Sequence, residues 1–112
     1  MQKIVAMVRP HKLDGIKEAL SEAGVQGATV TEVRGFRGPG GRTRTYRGER
    51  YTDDLVPKVG VEIVVPDSAV ETVVTVLETA AKTGKAGDGK IFVVPVLDAV
   101  RIRTGERGPA AI

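Results

Sequence analysis

The sequence contains no cysteine and no tryptophan, and it has only two phenylalanines, two tyrosines and one histidine among 112 residues. Without cysteine, neither a disulfide framework nor a thiolate metal site can form. With aromatic residues at 4%, a core has to be built from Val, Ile, Leu and Ala. No apolar run is long enough to span a bilayer, and the N-terminal residues lack a signal-peptide cleavage pattern. We therefore expect a cytoplasmic protein.

Side chains suited to nucleophilic catalysis are also scarce. The two serines, Ser21 and Ser68, occupy helical or capping positions in the pattern, and His11 has no second potential ligand nearby in sequence. A solvated histidine before a helix is far more common than a catalytic or metal-binding one. We therefore predict that the protein is not an enzyme and forms no metal site from its own side chains.

The length predicts a single domain over residues 1–112. A domain of this size buries roughly two thirds of its unfolded surface, so packing against copies of itself would add stability. The formal net charge of +3 permits an anionic partner. Nucleotide phosphates, nucleic acid and an acidic protein surface all fit that charge.

Hydrophobic periodicity predicts two strand–helix–strand units. The predicted strands are residues 4–8, 29–33, 59–65 and 91–94, and the predicted helices are residues 13–23 and 70–81. Gly24 and Gly84 are expected to end the helices, and Asp67 or Ser68 to cap the second one. The alternating residues 100–103 predict one more short edge strand.

Two such units make an α+β fold of the ferredoxin-like βαββαβ type. Its antiparallel sheet would carry both helices on one face. Much of the other face is apolar, so a partner subunit is the simplest cover for it.

Residues 35–57 lack this periodicity and are rich in glycine and arginine, which predicts a long mobile loop between the second and third strands. Arginines interleaved with Tyr46 and Tyr51 can indicate nucleic-acid binding. Residues 34–36, Arg-Gly-Phe, also resemble the opening of an RNA-recognition motif. Since the stacking aromatics of that motif do not follow, we expect no nucleic-acid partner.

Two basic segments in the C-terminal half are candidates for binding phosphate. Residues 83–90 combine lysines with glycines, whose backbone N–H groups can turn towards an anion. Ile91 replaces the Ser or Thr of a Walker A loop, and a tight turn before a strand explains the segment equally well. In an extended chain Arg101 and Arg103 would point to the same side and suit phosphate oxygens. Taken alone, that pair is better explained as a solvated edge strand.

The sequence resembles the PII signalling proteins, which report nitrogen, carbon and energy status, over essentially its whole length. Residues 29–36 match the second strand of that family, and residues 55–59 match the end of its T-loop. Residues 83–93 match its B-loop signature, and residues 101–106 match its C-loop. The last two segments are highly specific.

The resemblance implies a homotrimer in which ATP and ADP compete for clefts between subunits. The T-loop would span about residues 36–57, the B-loop about 82–90 and the C-loop about 101–106. The implied nucleotide contacts are Thr29, Val64 and Glu62 near the adenine; Gly87, Asp88, Gly89 and Lys90 around the phosphates; Arg101 and Arg103 from the neighbouring subunit; and Gly35, Phe36, Arg37 and Gly38 at the T-loop base. Mg²⁺ would accompany ATP.

In the family, ATP with magnesium recruits 2-oxoglutarate to the T-loop base, where Lys58 would pair with a carboxylate. The T-loop then releases its target, which would be an ammonium channel at the membrane or a nitrogen-metabolism enzyme. Arg47 matches the arginine that plugs the channel pore. Tyr51 matches a tyrosine that is nucleotidylylated in some members, although Glu49 and Arg50 alter the surface beside it and leave that modification open.

Residues 37–41 depart from the family pattern. Pro39 stands where the family has a glutamine that helps to hold magnesium and 2-oxoglutarate, and proline offers neither a side-chain acceptor nor a backbone N–H. This predicts weakened or absent 2-oxoglutarate sensing. The alternative is therefore a PII-like protein that binds adenine nucleotides but responds to another effector, such as bicarbonate, and regulates another transporter or enzyme.

Overall fold

The computed structural model describes residues 1–36, 42–46, 49–53 and 55–112, with the backbone alone for residues 42–46 and 49–53. The strands within these ranges are β1 (Gln2–Val8), β2 (Thr29–Phe36), β3 (Arg42–Tyr46), β4 (Glu49–Asp53), β5 (Leu55–Val65) and β6 (Lys90–Pro95). The α-helices there are α1 (Leu13–Glu22) and α2 (Val70–Ala81), and short 3-10 helices cover Pro10–Lys12, Asp67–Ala69 and Gly108–Ala111.

Four of these strands form one antiparallel sheet in the order β2-β5-β1-β6. The first strands of the two units, β1 and β5, lie at its centre, and the other two lie at its edges. This is the strand order of a ferredoxin-like fold and confirms the predicted fold class. β3 and β4 pair with each other in a separate two-stranded ladder.

One face of the sheet packs against both helices and forms the core. The buried residues are Ile4, Ala6 and Val8 of β1, Val59, Val61, Ile63 and Val65 of β5, and Ile16, Leu20, Val73, Leu77 and Ala81 of the helices. All are aliphatic, as the shortage of aromatic residues requires. Because side chains alternate along a strand, the residues between the buried ones lie on the opposite, open face.

The predicted end of α1 at Gly24 is confirmed. Gly24 adopts a left-handed φ of +85°, which favours glycine. Its N–H donates to the Ser21 carbonyl (3.0 Å), and the Val25 N–H donates to the Leu20 carbonyl (3.0 Å). These two bonds form a Schellman motif and satisfy carbonyls that the helix end would leave open.

The predicted capping of α2 is wrong at both ends. Asp67 and Ser68 belong to a 3-10 turn, and Ala69 occupies the N-cap position without a side-chain hydrogen bond. Helix propagation stops at Ala81, since Lys82 is already extended before the chain reaches Gly84. The left-handed glycine therefore shapes the loop after α2 and does not end the helix.

The Asp67 carboxylate has a different role from the predicted cap. It receives a hydrogen bond from the Met1 α-ammonium (2.9 Å) and another from the Gln2 amide (3.3 Å). The pKa of Asp67 is lowered mainly by the hydrogen bond from the terminal ammonium and by its positive charge. The hydrogen bond from Gln2 lowers it further. This carboxylate links the start of β1 to the turn before α2.

Two segments differ from the prediction in their backbone. Residues 35–57 were predicted to have no regular structure, but β2 extends to Phe36, β5 begins at Leu55, and β3 and β4 lie between them. Residues 100–103 do not form an edge strand. They enter a turn in which the Gly105 N–H donates to the Arg101 carbonyl (2.7 Å), and Val100 makes only an isolated bridge to Arg107.

Candidate functional site

The open face of the sheet forms the floor of the candidate site. Side chains of four strands share this face: Thr29, Thr31 and Val33; Lys58, Glu62 and Val64; Lys3, Val5 and Met7; and Lys90, Phe92 and Val94. Phe92 is 50% exposed and Val94 42% exposed. An apolar strip beside several charges is thus open to solvent on a single chain.

Three of the predicted nucleotide contacts lie together on this face. Thr29 of β2 pairs directly with Glu62 of β5, and Val64 is the next residue of β5 on the same side. Val64 pairs with Lys3, whose ammonium lies 3.8 Å from the Glu62 carboxylate. The group combines a hydroxyl, a carboxylate and an apolar side chain.

The loop between α2 and β6 runs over one end of this face, and its path depends on glycine. Gly87 and Gly89 have φ angles of +94° and +102°. A Cβ on Gly89 would lie 1.7 Å from the Met7 carbonyl oxygen of β1. The loop backbone at position 89 therefore lies closer to β1 than a residue with a Cβ atom would permit.

The side chain of Asp88 forms hydrogen bonds within the same loop. Its carboxylate accepts hydrogen bonds from the Thr83 and Gly84 N–H groups (2.8 Å each) and from the Thr83 hydroxyl. These bonds, led by the one from the Thr83 hydroxyl and joined by one from Arg9, hold the pKa of Asp88 well below its usual range. The side chain thus faces the loop interior, so any contact that Asp88 makes with an anion would come from its backbone.

Two cations connect the loop to the sheet. Arg9, just after β1, donates from Nε to Asp88 Oδ1 (3.1 Å) and from Nη2 to the Ala86 carbonyl (2.7 Å). The Lys58 ammonium of β5 donates to the Gly87 carbonyl. Lys58 was predicted as an effector ligand, whereas Arg9 was missed. Arg9 follows β1 directly, and the pairing of β1 with β6 places it beside the loop that leads into β6. That position in the topology is the only indication of its role.

Between the loop and the open face lies a cleft of about 460 Å³. Its walls are the ammonium-bearing side chains Lys58, Lys85 and Lys90, the apolar side chains Met7 and Phe92, and loop residues 87–89. The one carboxylate in this lining, Asp88, is already bonded within the loop. The cleft is therefore basic on one side and apolar on the other, which suits an anion attached to an apolar group.

The two predicted arginines do not join this cleft within the described part of one chain. The Val96 N–H donates to the Met1 carbonyl (3.1 Å), so the chain leaves the sheet at the end opposite to the loop. In the turn that follows, Arg101 Nη1 donates to the Glu106 carboxylate (3.2 Å). Arg103 and its neighbour Ile102 are exposed, the latter to 98%.

The remaining predicted residues lie at the base of the long segment or within it. Gly35 and Phe36 end β2 opposite Val56 and Leu55, and Phe36 is 72% exposed. Tyr51 pairs with Arg44 in the β3–β4 ladder. Arg37, Gly38, Pro39 and Arg47, like the side chain of Tyr51, lie outside the described residues.

No cluster of three metal-ligating side chains occurs in the described ranges. No α-helix there is long and apolar enough to cross a membrane.

The fold and this cleft define a small ferredoxin-like protein with a basic loop at one end of its sheet. The chain belongs to the family described as nitrogen regulatory protein P-II, whose model matches residues 1–106. It is 54% identical to the nitrogen regulatory protein P-II of Azospirillum brasilense and 53% identical to that of Rhodospirillum rubrum. It is also 54% identical to the nitrogen regulatory protein P-II 1 of Escherichia coli strain K12.

Each of these three alignments covers 112 residues and the whole of both chains. The resemblance predicted from the sequence is thereby confirmed. The chain is a signal-transduction regulator of nitrogen metabolism and not an enzyme.

Proposed function

We propose that this P-II protein senses adenine nucleotides, ATP and ADP, in clefts between the subunits of a homotrimer. The observation that carries the proposal is the basic cleft beneath residues 83–90. Lys58, Lys85 and Lys90 line it, and the loop above it contains three left-handed glycines. Binding would be reported to a nitrogen-metabolism target through the segment 36–57.

The chemistry of the cleft fits phosphate groups. Lysine ammoniums make charge-assisted hydrogen bonds to phosphate oxygens. Turns with left-handed residues direct successive backbone N–H groups towards a single anion. Because Asp88 already holds the loop in shape, less ordering would be needed when the ligand arrives.

The group formed by Thr29, Glu62 and Val64 fits an adenine. The exocyclic amine of adenine is a hydrogen-bond donor, which a hydroxyl or carboxylate can accept. An apolar side chain such as Val64 can pack against the face of the base. This group shares the open face with Lys58, two alternations along β5. One ligand could therefore contact the group and the cleft together.

The separation of the arginines from the cleft supports a site between subunits. Arg101 and Arg103 follow the end of the sheet that lies away from the loop. A second copy packed on the open face would bring its own arginines to the phosphates. It would also cover Phe92 and Val94, apolar side chains of that face that a single chain exposes.

Mixing two variants tests the shared site. Lys90→Gln and Arg103→Gln should each weaken ADP binding roughly tenfold, because each removes a charge-assisted bond. When the two variants are co-folded, about a quarter of the clefts should contain both native residues and regain wild-type affinity. Calorimetry of the single variants and the mixture measures this.

Lys17→Gln is the matched control, since Lys17 is exposed on α1 and pairs only with Asp14 in the described residues (3.6 Å). It should bind ADP as the wild type does. A mixture of the other two variants that contains only weak sites would contradict a cleft shared between subunits.

We propose that the second signal is an anion bound through Lys58, with 2-oxoglutarate as the first candidate to test. The Lys58 ammonium faces the loop, where it donates to the Gly87 carbonyl, so an arriving carboxylate would compete for it beside the phosphates. Pro39 supports the alternative, in which nucleotides bind but another anion such as bicarbonate is the effector. We expect 2-oxoglutarate to bind weakly to the complex with ATP and Mg²⁺.

Titration of 2-oxoglutarate into that complex decides between the two effectors. Tight binding that depends on Mg²⁺ would show that Pro39 is tolerated and would favour the nitrogen-sensor form of the proposal. Weak or absent binding, followed by a response to bicarbonate, would favour the PII-like alternative.

The target is proposed to be an ammonium channel or a nitrogen-metabolism enzyme, with Arg47 as the contact to a channel pore. A cytoplasmic protein would then be recruited to the membrane by its partner. Tyr51 is proposed as a site of nucleotidylylation that would alter this docking.

A further inference from the structure

The guanidinium of Arg9 lies directly against the loop of residues 83–90. Its Nε and Nη2 groups bond to the Asp88 carboxylate (3.1 Å) and the Ala86 carbonyl (2.7 Å). A Cβ on Gly87 would come within 3.3 Å of Nη2. The side chain therefore contacts three successive loop residues, although Arg9 itself stands 79 positions earlier than Asp88.

Asp88 connects Arg9 to the first residues of the loop. The same carboxylate that receives the Arg9 bond also accepts the N–H groups of Thr83 and Gly84 (2.8 Å each). The link Arg9–Asp88–Thr83 thus fixes both ends of the loop against the end of β1. The side chains of Arg9 and Asp88 are only 27% and 24% exposed, so solvent competes weakly for their bond.

We propose that Arg9 is a positioning residue for phosphate binding, acting through Asp88 and the Ala86 carbonyl. This inference rests on the proposed nucleotide site. Because the charge of Arg9 is paired with that of Asp88, it adds little net charge to the cleft, whose attraction for anions comes from Lys58, Lys85 and Lys90. The contribution of Arg9 is geometric.

The geometry requires arginine and not merely a positive charge. A guanidinium is a planar fork that donates to a carboxylate and a carbonyl from fixed directions, whereas a lysine ammonium is a point charge on a flexible stem. Arg9→Lys keeps the charge and loses the fork. Arg9→Gln loses both. Similar defects in the two variants indicate positioning, whereas a defect in Arg9→Gln alone indicates simple charge attraction.

The first arm of the test measures ADP affinity by calorimetry for the wild type, Arg9→Lys, Arg9→Gln, Asp88→Asn and the double variant Arg9→Gln/Asp88→Asn. Each single variant should bind ADP roughly tenfold more weakly, since the loop is no longer fixed in advance and has to be ordered when ADP binds. The double variant should lose less affinity than the two single losses combined, because both changes break the same Arg9–Asp88 bond. Lys17→Gln is again the control for loss of one charge.

The second arm needs no ligand and follows hydrogen exchange at the Thr83 and Gly84 amides, which donate to Asp88. Both Arg9 variants should exchange faster there while their thermal midpoints stay close to the wild-type value. Wild-type ADP affinity in Arg9→Lys, additive losses in the double variant or unchanged exchange at the two amides would overturn the positioning role. Failure of the wild type to bind ADP would instead overturn the nucleotide site on which the role depends.

Discussion

Replacing Gly89 by alanine is expected to abolish nucleotide binding at ordinary ligand concentrations. The new Cβ would lie 1.7 Å from the Met7 carbonyl oxygen. Both atoms belong to or directly adjoin the backbone, so the loop has to move away from β1. The left-handed φ of +102° adds strain of about 1–3 kcal/mol for a residue with a side chain. A displaced loop should lose more than one of its hydrogen bonds to the phosphates, which corresponds to on the order of 100-fold in ADP affinity.

The measurement is an ADP titration of Gly89→Ala beside Gly27→Ala. Gly27 is the matched control because a Cβ there meets nothing within 4 Å, and its φ is not left-handed. Gly27→Ala should bind ADP normally. Equal affinity in the two variants would mean that the approach of the loop to β1 does not shape the binding site.

Truncation of Leu77 to alanine should lower the free energy of unfolding by about 2–5 kcal/mol. Leu77 lies in the middle of α2, is fully buried at 0% exposure, and belongs to the same core cluster as Ile4 and Ile16. Removing its side chain leaves a cavity that the neighbouring aliphatic side chains fill only in part. Domains of this kind have a total stability of about 5–15 kcal/mol, so the loss is a large share.

Urea unfolding at one fixed protein concentration measures this loss, since assembly makes stability depend on concentration. Thr75→Ala is the control because Thr75 is exposed on the same helix, and its replacement should change stability by less than about 0.5 kcal/mol. A Leu77 variant as stable as this control would show that the core of the single subunit contributes little to folding.

Much of the fold could be predicted because its core strands and helices are amphipathic. Residues 59–65 alternate as a strand does, and residues 13–20 have the apolar spacing of a helix. Each element buries one face, and the periodicity of apolar residues indicates which face that is. The Schellman end at Gly24 was equally predictable, because a glycine directly after the last apolar turn is typical of a left-handed helix end.

Two parts of the backbone could not be predicted, for different reasons. β3 and β4 are built from Arg, Thr, Tyr, Glu and Asp, and no apolar alternation distinguishes them from a loop. Residues 100–103 alternate as a strand does, but hydrogen bonds from Arg101 and Thr104 to Glu106 hold them in a turn. Here hydrogen bonds between nearby side chains favour a turn, although the apolar alternation predicts a strand.

The loop of the candidate site could be predicted from the sequence, whereas the side-chain bonds that hold the loop in place could not. The glycines and lysines of residues 83–90 indicated an anion site directly. The link between Arg9 and Asp88 depends instead on the antiparallel pairing of β1 with β6, which places the end of one strand beside the start of the other. Such a contact follows from sheet register, and a local pattern does not contain it.

Calorimetric titration of ATP and of ADP into the wild-type protein is the most direct test of the nucleotide-sensing proposal. We expect saturable binding of either nucleotide, with one site per chain and competition between the two. Absence of binding by both nucleotides, with the protein folded and Mg²⁺ present, would contradict it.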